Sequence, residues 1–256
     1  MSVATTTANR DIATYAGDLA RDGYAYIPGL FYSDNLLRDR KLPQVRADYL
    51  ALESEFARGQ LDPYSPGNRY RSYSQLRVEP DWSAFEYGLF ESYQQTKKYN
   101  PDTGGVVREY PLISPELQSN LLLRQVLSSD IALLRAYPRF DVEPAGLMVG
   151  LHLFRYLAYA DDPAYSSPNW LHKDDEHVVF IHHVGLSGNV IGGDNLIAPN
   201  AKSFETVLRL TDALDTLVVN QDKLHAVTPV GASSRSPLAP ARRDVMLVTF
   251  QLRESP

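Results

Sequence analysis

Two histidines and an aspartate carry the most specific chemistry in this chain. His172 and Asp174 stand as His-x-Asp in the stretch WLHKDDEH, and His225 follows far downstream in KLHAVTP. Two neutral imidazoles and one carboxylate on one face of an octahedral metal leave three positions open. That arrangement suits a non-haem Fe(II) centre, which must hold a co-substrate and O₂ together. In a strand-like segment, side chains two apart share a face, so His172 and Asp174 can bite one metal while Lys173 points away. His225 opens a later strand, and a rolled antiparallel sheet would bring it opposite the first pair. The bland reading stands beside this one: His-x-Asp occurs by chance in many chains, and both histidines could be ordinary surface or core residues.

A second group of residues would serve a dicarboxylate co-substrate, because a buried carboxylate without a cation is costly. Arg243 opens the run RDVMLVTF beyond His225, and its guanidinium can grip a carboxylate through two parallel hydrogen bonds. Arg242 and Arg235 compete with it on position, and a solvated strand-end charge is the alternative. Gly192-Gly193, followed by Asp194-Asn195, reads as a turn that could also let the backbone approach a ligand. No G-x-S-x-G or H-E-x-x-H occurs, so acyl transfer and zincin chemistry find no support.

These residues must be positioned by a chain of 256 residues with 44% hydrophobic and 22% charged side chains, enough apolar material for one core. The net charge of −6 disfavours nucleic acid and anionic lipid as partners. The absence of cysteine removes disulfides, thiolate metal sites and cysteine nucleophiles, so any metal is held by nitrogen and oxygen. With no apolar run of membrane-spanning length and no basic-then-apolar start, a soluble cytoplasmic protein is expected, with a homodimer left open.

Helical patterns dominate residues 1–142. One runs from a cap at Asn9 to Gly23, another from Ser33 is interrupted at Pro43 and resumes over Val45 to Ala57, and a long helix from Pro115 to Tyr137 turns Leu117, Leu121, Leu122, Val126 and Leu133 inward. Tyr24 to Ile27 and Tyr70 to Val78 read as strands, and Gly104-Gly105 marks a turn. From about Glu143 short strands take over: Met148 to Ala158, Val178 to Leu186, Asn195 to Ala198, Thr216 to Asn220, His225 to Val230 and Asp244 to Leu252. The expected fold is mostly β, a jelly-roll or barrel over 143–256 buttressed by the helical half, in one domain over 1–256.

Seven blocks, RSYSQL, YNPDTGGVVREY, GLHLFRY, WLHKDDEHVVFIH, IGGDNLIAPN, LHAVTPVG and RRDVMLVTF, occur in an order that resembles the Fe(II) and 2-oxoglutarate dependent dioxygenases that hydroxylate free aliphatic L-amino acids, of the bacterial isoleucine dioxygenase type. The resemblance spans roughly residues 65–253. It implies a double-stranded β-helix (jelly-roll, cupin-like) core, Fe(II) on His172, Asp174 and His225, and Arg243 on the C5 carboxylate of 2-oxoglutarate. It also implies hydroxylation at an unactivated C–H of a leucine-, isoleucine-, valine- or methionine-like substrate, with release of succinate and CO₂. Retention of Asp174 argues against halogenation, in which a small residue makes room for halide. His177 departs from the family pattern, where proline is expected, and this bears on pocket shape. Residues 1–60 match no motif.

A free amino acid needs a cation for its carboxylate, an acceptor for its ammonium and an apolar slot. Arg155 and Arg71 are the candidate cations, with ion-pair roles as the alternative; Glu176 or Asp175 is the acceptor, against a plain solvated loop. Phe154, Trp170 and Tyr165 are candidate walls, although aromatics in a β-rich segment are more often core, and Asn195 is a further polar candidate. His152, His182 and His183 are read as structural. Two alternatives remain: desaturation or ring closure with the same cofactors, and a metal-binding jelly-roll that senses a ligand without turnover.

Overall fold

The computed structural model describes residues 10–79, 85–87, 92–100, 103–140, 147–233 and 239–252. Along the chain run α1 (Ile12–Asp22), β1 (Tyr24–Ile27), α2 (Gly29–Leu37), α3 (Leu42–Glu55), β2 (Gln60–Leu61), β3 (Arg69–Val78), β4 (Phe85–Tyr87), α4 (Pro115–Gln118) and α5 (Leu121–Ala136). Strands follow: β5 (Leu147–Ala158), β6 (Val178–Leu186), β7 (Val190–Gly192), β8 (Asn195–Ala198), β9 (Thr206–Leu208), β10 (Thr216–Asn220), β11 (Leu224–Val227), β12 (Val230–Ala232) and β13 (Ala241–Leu252).

Local chemistry sets the helix ends. Asp11, rather than Asn9, caps α1 by accepting from the Thr14 amide at 2.9 Å; Asn9 lies outside the described residues. Gly23 closes α1 in the left-handed region, φ 77°, where a side chain would be strained. Pro43 does not interrupt a helix. It sits in the first turn of α3, where its missing N–H has no partner to lose. The long helix expected from Pro115 is two, because Asn120 accepts from the Leu123 amide at 3.0 Å and starts α5 afresh. That break leaves Leu121 exposed instead of inward.

The main sheet is antiparallel and eight-stranded, in the order β1-β10-β6-β13-β5-β3-β2, with β4 on the far part of β3. Strands from the helical half, β1 and β3, are therefore integral to it. A three-stranded sheet, β11-β8-β9, and the pair β12-β7 form the smaller layer. The single strand expected over His225 to Val230 divides into β11 and β12 around Thr228-Pro229, since proline has no amide to give a ladder. The jelly-roll is open, its sheets not closed into a barrel.

Alternation along the strands divides the interior. Leu151, Leu153, Met246, Val248, Phe180 and Val218 face the helices and pack with Leu122, Leu123, Val126 and Leu134 of α5. The intervening residues form the other face. There the register aligns Arg69, Tyr156 and Arg243 in one row, Arg71, Phe154 and Val245 in the next, and Tyr73, His152 and Leu247 in a third. The sheet thus spends one face on stability and presents the other, rich in cations and aromatic rings, to a cleft.

Candidate metal centre

His172 and Asp174 lie in the connection between β5 and β6, not in a regular strand as their spacing suggested. His172 is tied to β11 by a two-way backbone bridge: its amide donates to the His225 carbonyl at 3.0 Å, and the His225 amide returns the bond at 2.8 Å. On its other edge His225 pairs with Ile197 of β8. The Gln221 amide group donates to the Asp174 and Asp175 carbonyls at 3.2 and 3.0 Å, which fixes the segment carrying the carboxylate.

The three side chains converge. Asp174 Oδ1 is 3.4 Å from His172 Nε2 and Asp174 Oδ2 is 3.1 Å from His225 Nε2. The two rings are 4.5 Å apart between centroids, and one donor atom from each residue lies within 4.8 Å of the others. His172 Nδ1 faces the Trp170 carbonyl at 2.8 Å, so it carries the proton and leaves Nε2 free as a lone-pair donor. Burial opposes the charge on Asp174, but the facing imidazoles, His225 foremost, hold its carboxyl well below the usual carboxylate range. A partly buried carboxylate kept ionised between two imidazoles is a donor set ready for a divalent cation.

The triad opens into a cleft of about 720 Å³, its mouth included. Arg243 lines it from β13, 2% exposed, with its ring neighbour Tyr156 at 5.9 Å and its Nη2 without a hydrogen-bond partner. Among the described residues no carboxylate lies within ion-pair reach of it. Burial lowers its pKa, the expected direction for a cation held out of water. Gly193, at φ 74°, lies so close that a Cβ there would meet Arg243 Cδ at 3.0 Å. The paired glycines therefore let backbone pass along an arginine side chain. Of the competitors, Arg242 is paired with Glu53 and Asp244, and Arg235 lies outside the described residues.

The other candidates separate. Arg71, Phe154 and Glu176 line the cleft. Arg155 does not: it forms a bidentate pair with Asp244 at 2.8 and 2.9 Å on the opposite face of β5. Asp175 accepts from the Thr96 amide and hydroxyl. Trp170 is half exposed and offers the cleft only its carbonyl's hold on His172, while Asn195 is buried and bonded to the Leu208 carbonyl. Neither Tyr165 nor His177 lines the cleft; His177 stands edge-on to Phe140, and its amide, which a proline would lack, donates to the Phe250 carbonyl at 3.0 Å.

His152 corrects the structural reading given to it. Its ring lines the cleft, and its Nδ1 accepts from Arg71 at 2.6 Å. Burial first, and the Arg71 charge second, hold its pKa far below the usual value. His182 is structural, bonded to Asp130 and Thr216 in the helical core. Sequence reasoning passed over Arg69, Tyr93, Arg108 and Tyr156. The alternation Arg69, Arg71, Tyr73 in RYRSY was the available signal, since it puts two cations on one strand face.

Family comparison agrees with this geometry. Residues 53–249 match the 2OG-Fe dioxygenase family. The chain is 47% identical over 247 residues to 3(1)-hydroxy-L-isoleucine 4-dioxygenase of Pantoea ananatis (strain AJ13355), covering 94% of this chain and 96% of that protein. It is 38% identical over 214 residues to L-isoleucine-4-hydroxylase of Bacillus thuringiensis, covering 84% of each. The crystal structure of IDO from Bacillus thuringiensis superposes with a TM-score of 0.79 at 31% identity, over 95% of this chain and all of that one. This chain belongs to the 2OG-Fe dioxygenase family, whose members use Fe(II), 2-oxoglutarate and O₂.

Proposed function

We propose that this enzyme hydroxylates an unactivated C–H of a free aliphatic L-amino acid of the isoleucine type, converting 2-oxoglutarate to succinate and CO₂ as it does so. The observation that carries the reading is one cleft lined by both a two-imidazole, one-carboxylate set and a buried guanidinium with no carboxylate of its own. Both relatives cited act on isoleucine or its hydroxylated form by name, which supports a branched aliphatic substrate.

In this reading His172, Asp174 and His225 hold the iron. When bound, the metal supplies activation of O₂ coupled to oxidation of the keto acid. Trp170 fixes the tautomer of His172 through its carbonyl, and Gln221 holds the loop that aims Asp174. Arg243 takes the remote carboxylate of 2-oxoglutarate, supplying the anion's partner where water is absent. Phe154, Ile181, Val245 and Leu247 give the cleft an apolar wall that excludes water from the reacting carbon. The whole chain acts as one dioxygenase domain, and among the described residues no helix is long and apolar enough to cross a membrane.

The test is incubation of the purified protein with Fe(II), ascorbate, 2-oxoglutarate and each of leucine, isoleucine, valine, methionine and a side-chain-hydroxylated isoleucine. Succinate and a product heavier by one oxygen atom are expected with at least one of them. Silence across that panel overturns the substrate class, and a product lighter by two hydrogens would replace hydroxylation by desaturation.

A further inference from the structure

The cleft contains a second buried guanidinium whose charge the metal and co-substrate sites leave unanswered. Arg71, on β3, is 3% exposed and boxed by rings, its guanidinium carbon 4.1 Å from the centroid of Tyr110, 4.4 Å from Tyr93 and 4.8 Å from Phe154. Its hydrogen-bond partners are neutral: Tyr110 Oη at 2.9 Å and His152 Nδ1 at 2.6 Å. Its Nε has none. Asp62 reaches Arg71 only through Tyr110, whose hydroxyl donates to it at 3.4 Å, and is otherwise held by the two nitrogens of Arg69 and by the Tyr64 amide. Arginine with so little exposure is ordinarily paired with a carboxylate, because neutral acceptors and rings do not replace the water it loses.

Glu176 supplies a carboxyl group in the same cleft. It is 6% exposed, and no cation lies within ion-pair reach of it among the described residues. Tyr93 links it to Arg71: the Tyr93 hydroxyl donates to Glu176 Oε1 at 3.4 Å while the Tyr93 ring lies against the guanidinium. A cleft that presents a cation without an anionic partner and a carboxyl group without a cationic one, on either side of one tyrosine, has a place for each end of a free amino acid. Arg69 and Arg108 line the cleft as well: Arg69 is paired with Asp62, while Arg108, bonded to the Thr103 carbonyl and hydroxyl and to Gln95, likewise has only neutral partners but stands farther from the Tyr93 ring, at 5.6 Å against 4.4 Å.

Resting on the amino-acid reading above, we infer that Arg71 and Glu176 are the specificity-determining pair for the substrate backbone: Arg71 receives the α-carboxylate and Glu176 the α-ammonium. Substrates with either end blocked are excluded. The consequence is a demand for the free amino acid, so peptide-bound or N-acylated isoleucine is refused for electrostatic reasons and not for size alone. Phe154, packed on Arg71 and directly across the strands from it, holds the guanidinium plane for two parallel bonds.

The test uses Co(II)-loaded protein with 2-oxoglutarate present, titrated by calorimetry with L-isoleucine, L-isoleucine methyl ester and N-acetyl-L-isoleucine. The parent is expected to bind isoleucine at least about tenfold more tightly than either blocked form. Arg71→Gln should lose most of the isoleucine affinity and erase the penalty on the ester, leaving the penalty on the N-acetyl form. Glu176→Gln should do the reverse. The 2-oxoglutarate affinity of both variants should stay within about twofold of the parent, which also certifies that they are folded. Arg71→Lys repeats the test should Arg71→Gln fail to fold, and it is expected to retain part of the carboxylate preference. A parent that binds the blocked forms as well as isoleucine overturns the inference, as does an Arg71 variant that loses 2-oxoglutarate instead. Turnover of no amino acid by the parent is a failure of the functional reading itself, and is seen before any variant is made.

Discussion

Replacing Arg243 with methionine should make the ligand-free protein more stable while removing its response to 2-oxoglutarate. Arg243 is 2% exposed, its Nη2 has no partner, and burial already depresses its pKa. Substituting a buried, poorly compensated charge by an apolar side chain of similar length is neutral or stabilising by about 1–4 kcal/mol. For a chain of this size that corresponds to a rise in melting temperature on the order of 5 °C. The opposite sign is expected for binding. Two charge-assisted hydrogen bonds of about 1.5 kcal/mol each are lost, which raises the 2-oxoglutarate requirement on the order of a hundredfold. Thermal melts of Zn(II)-loaded protein with and without 2-oxoglutarate read both effects together. At a concentration one hundred times its Kd, the parent gains about 2.7 kcal/mol; at the same concentration the variant, with its Kd raised a hundredfold, gains about 0.4 kcal/mol. A variant that melts lower than the parent yet keeps the full co-substrate shift would refute the reasoning, because Arg243 would then be a structural residue with a hidden partner.

Asp174→Ala should reduce turnover to background and weaken Co(II) binding by more than about a hundredfold, read from the metal's visible absorption. Gly193→Ala should destabilise by about 1–2 kcal/mol, because its φ of 74° belongs to glycine, and the new Cβ, 3.0 Å from Arg243 Cδ, should raise the KM for 2-oxoglutarate roughly tenfold. His183→Leu tests acid stability. Burial, with the Arg243 charge adding to it, lowers the His183 pKa from 6.5 to about 4. The unfolded chain therefore takes up this proton first, and stability falls as pH drops from 6.5 towards 4, by up to about 3 kcal/mol. Urea titrations at pH 7 and pH 4.5 should show a smaller acid loss in the variant than in the parent.

Parts of the fold were legible because they are local. Gly23 as a helix stop, the alternation over Tyr70 to Val78 within β3, and the turn at Gly192-Gly193 were all readable from short stretches of sequence. Pro43 opens α3 and Asn120 caps α5, both local signals that were outweighed by periodicity. The placement of the arginines depended on neighbours in space, and there local reading went astray. Arg155 looked as eligible a ligand as Arg71, since both are strand arginines flanked by aromatics. Only the parity of β5 shows that Arg155 faces Asp244 while Phe154 faces the cleft.

From the sequence alone came the donor types, two imidazoles and a carboxylate with no thiolate to compete, and a count of cations that could answer carboxylates. Residue identity sets what a group can ligate, and it needs no fold to be read. Convergence belongs to the tertiary structure, because His225 reaches Asp174 only after β11 bridges to the segment carrying His172, a contact between residues far apart along the chain. Burial is likewise a tertiary property: the packing of β3, β5 and β13 withdraws water from Arg71 and Arg243, and that withdrawal turns two ordinary arginines into sites that require an anion.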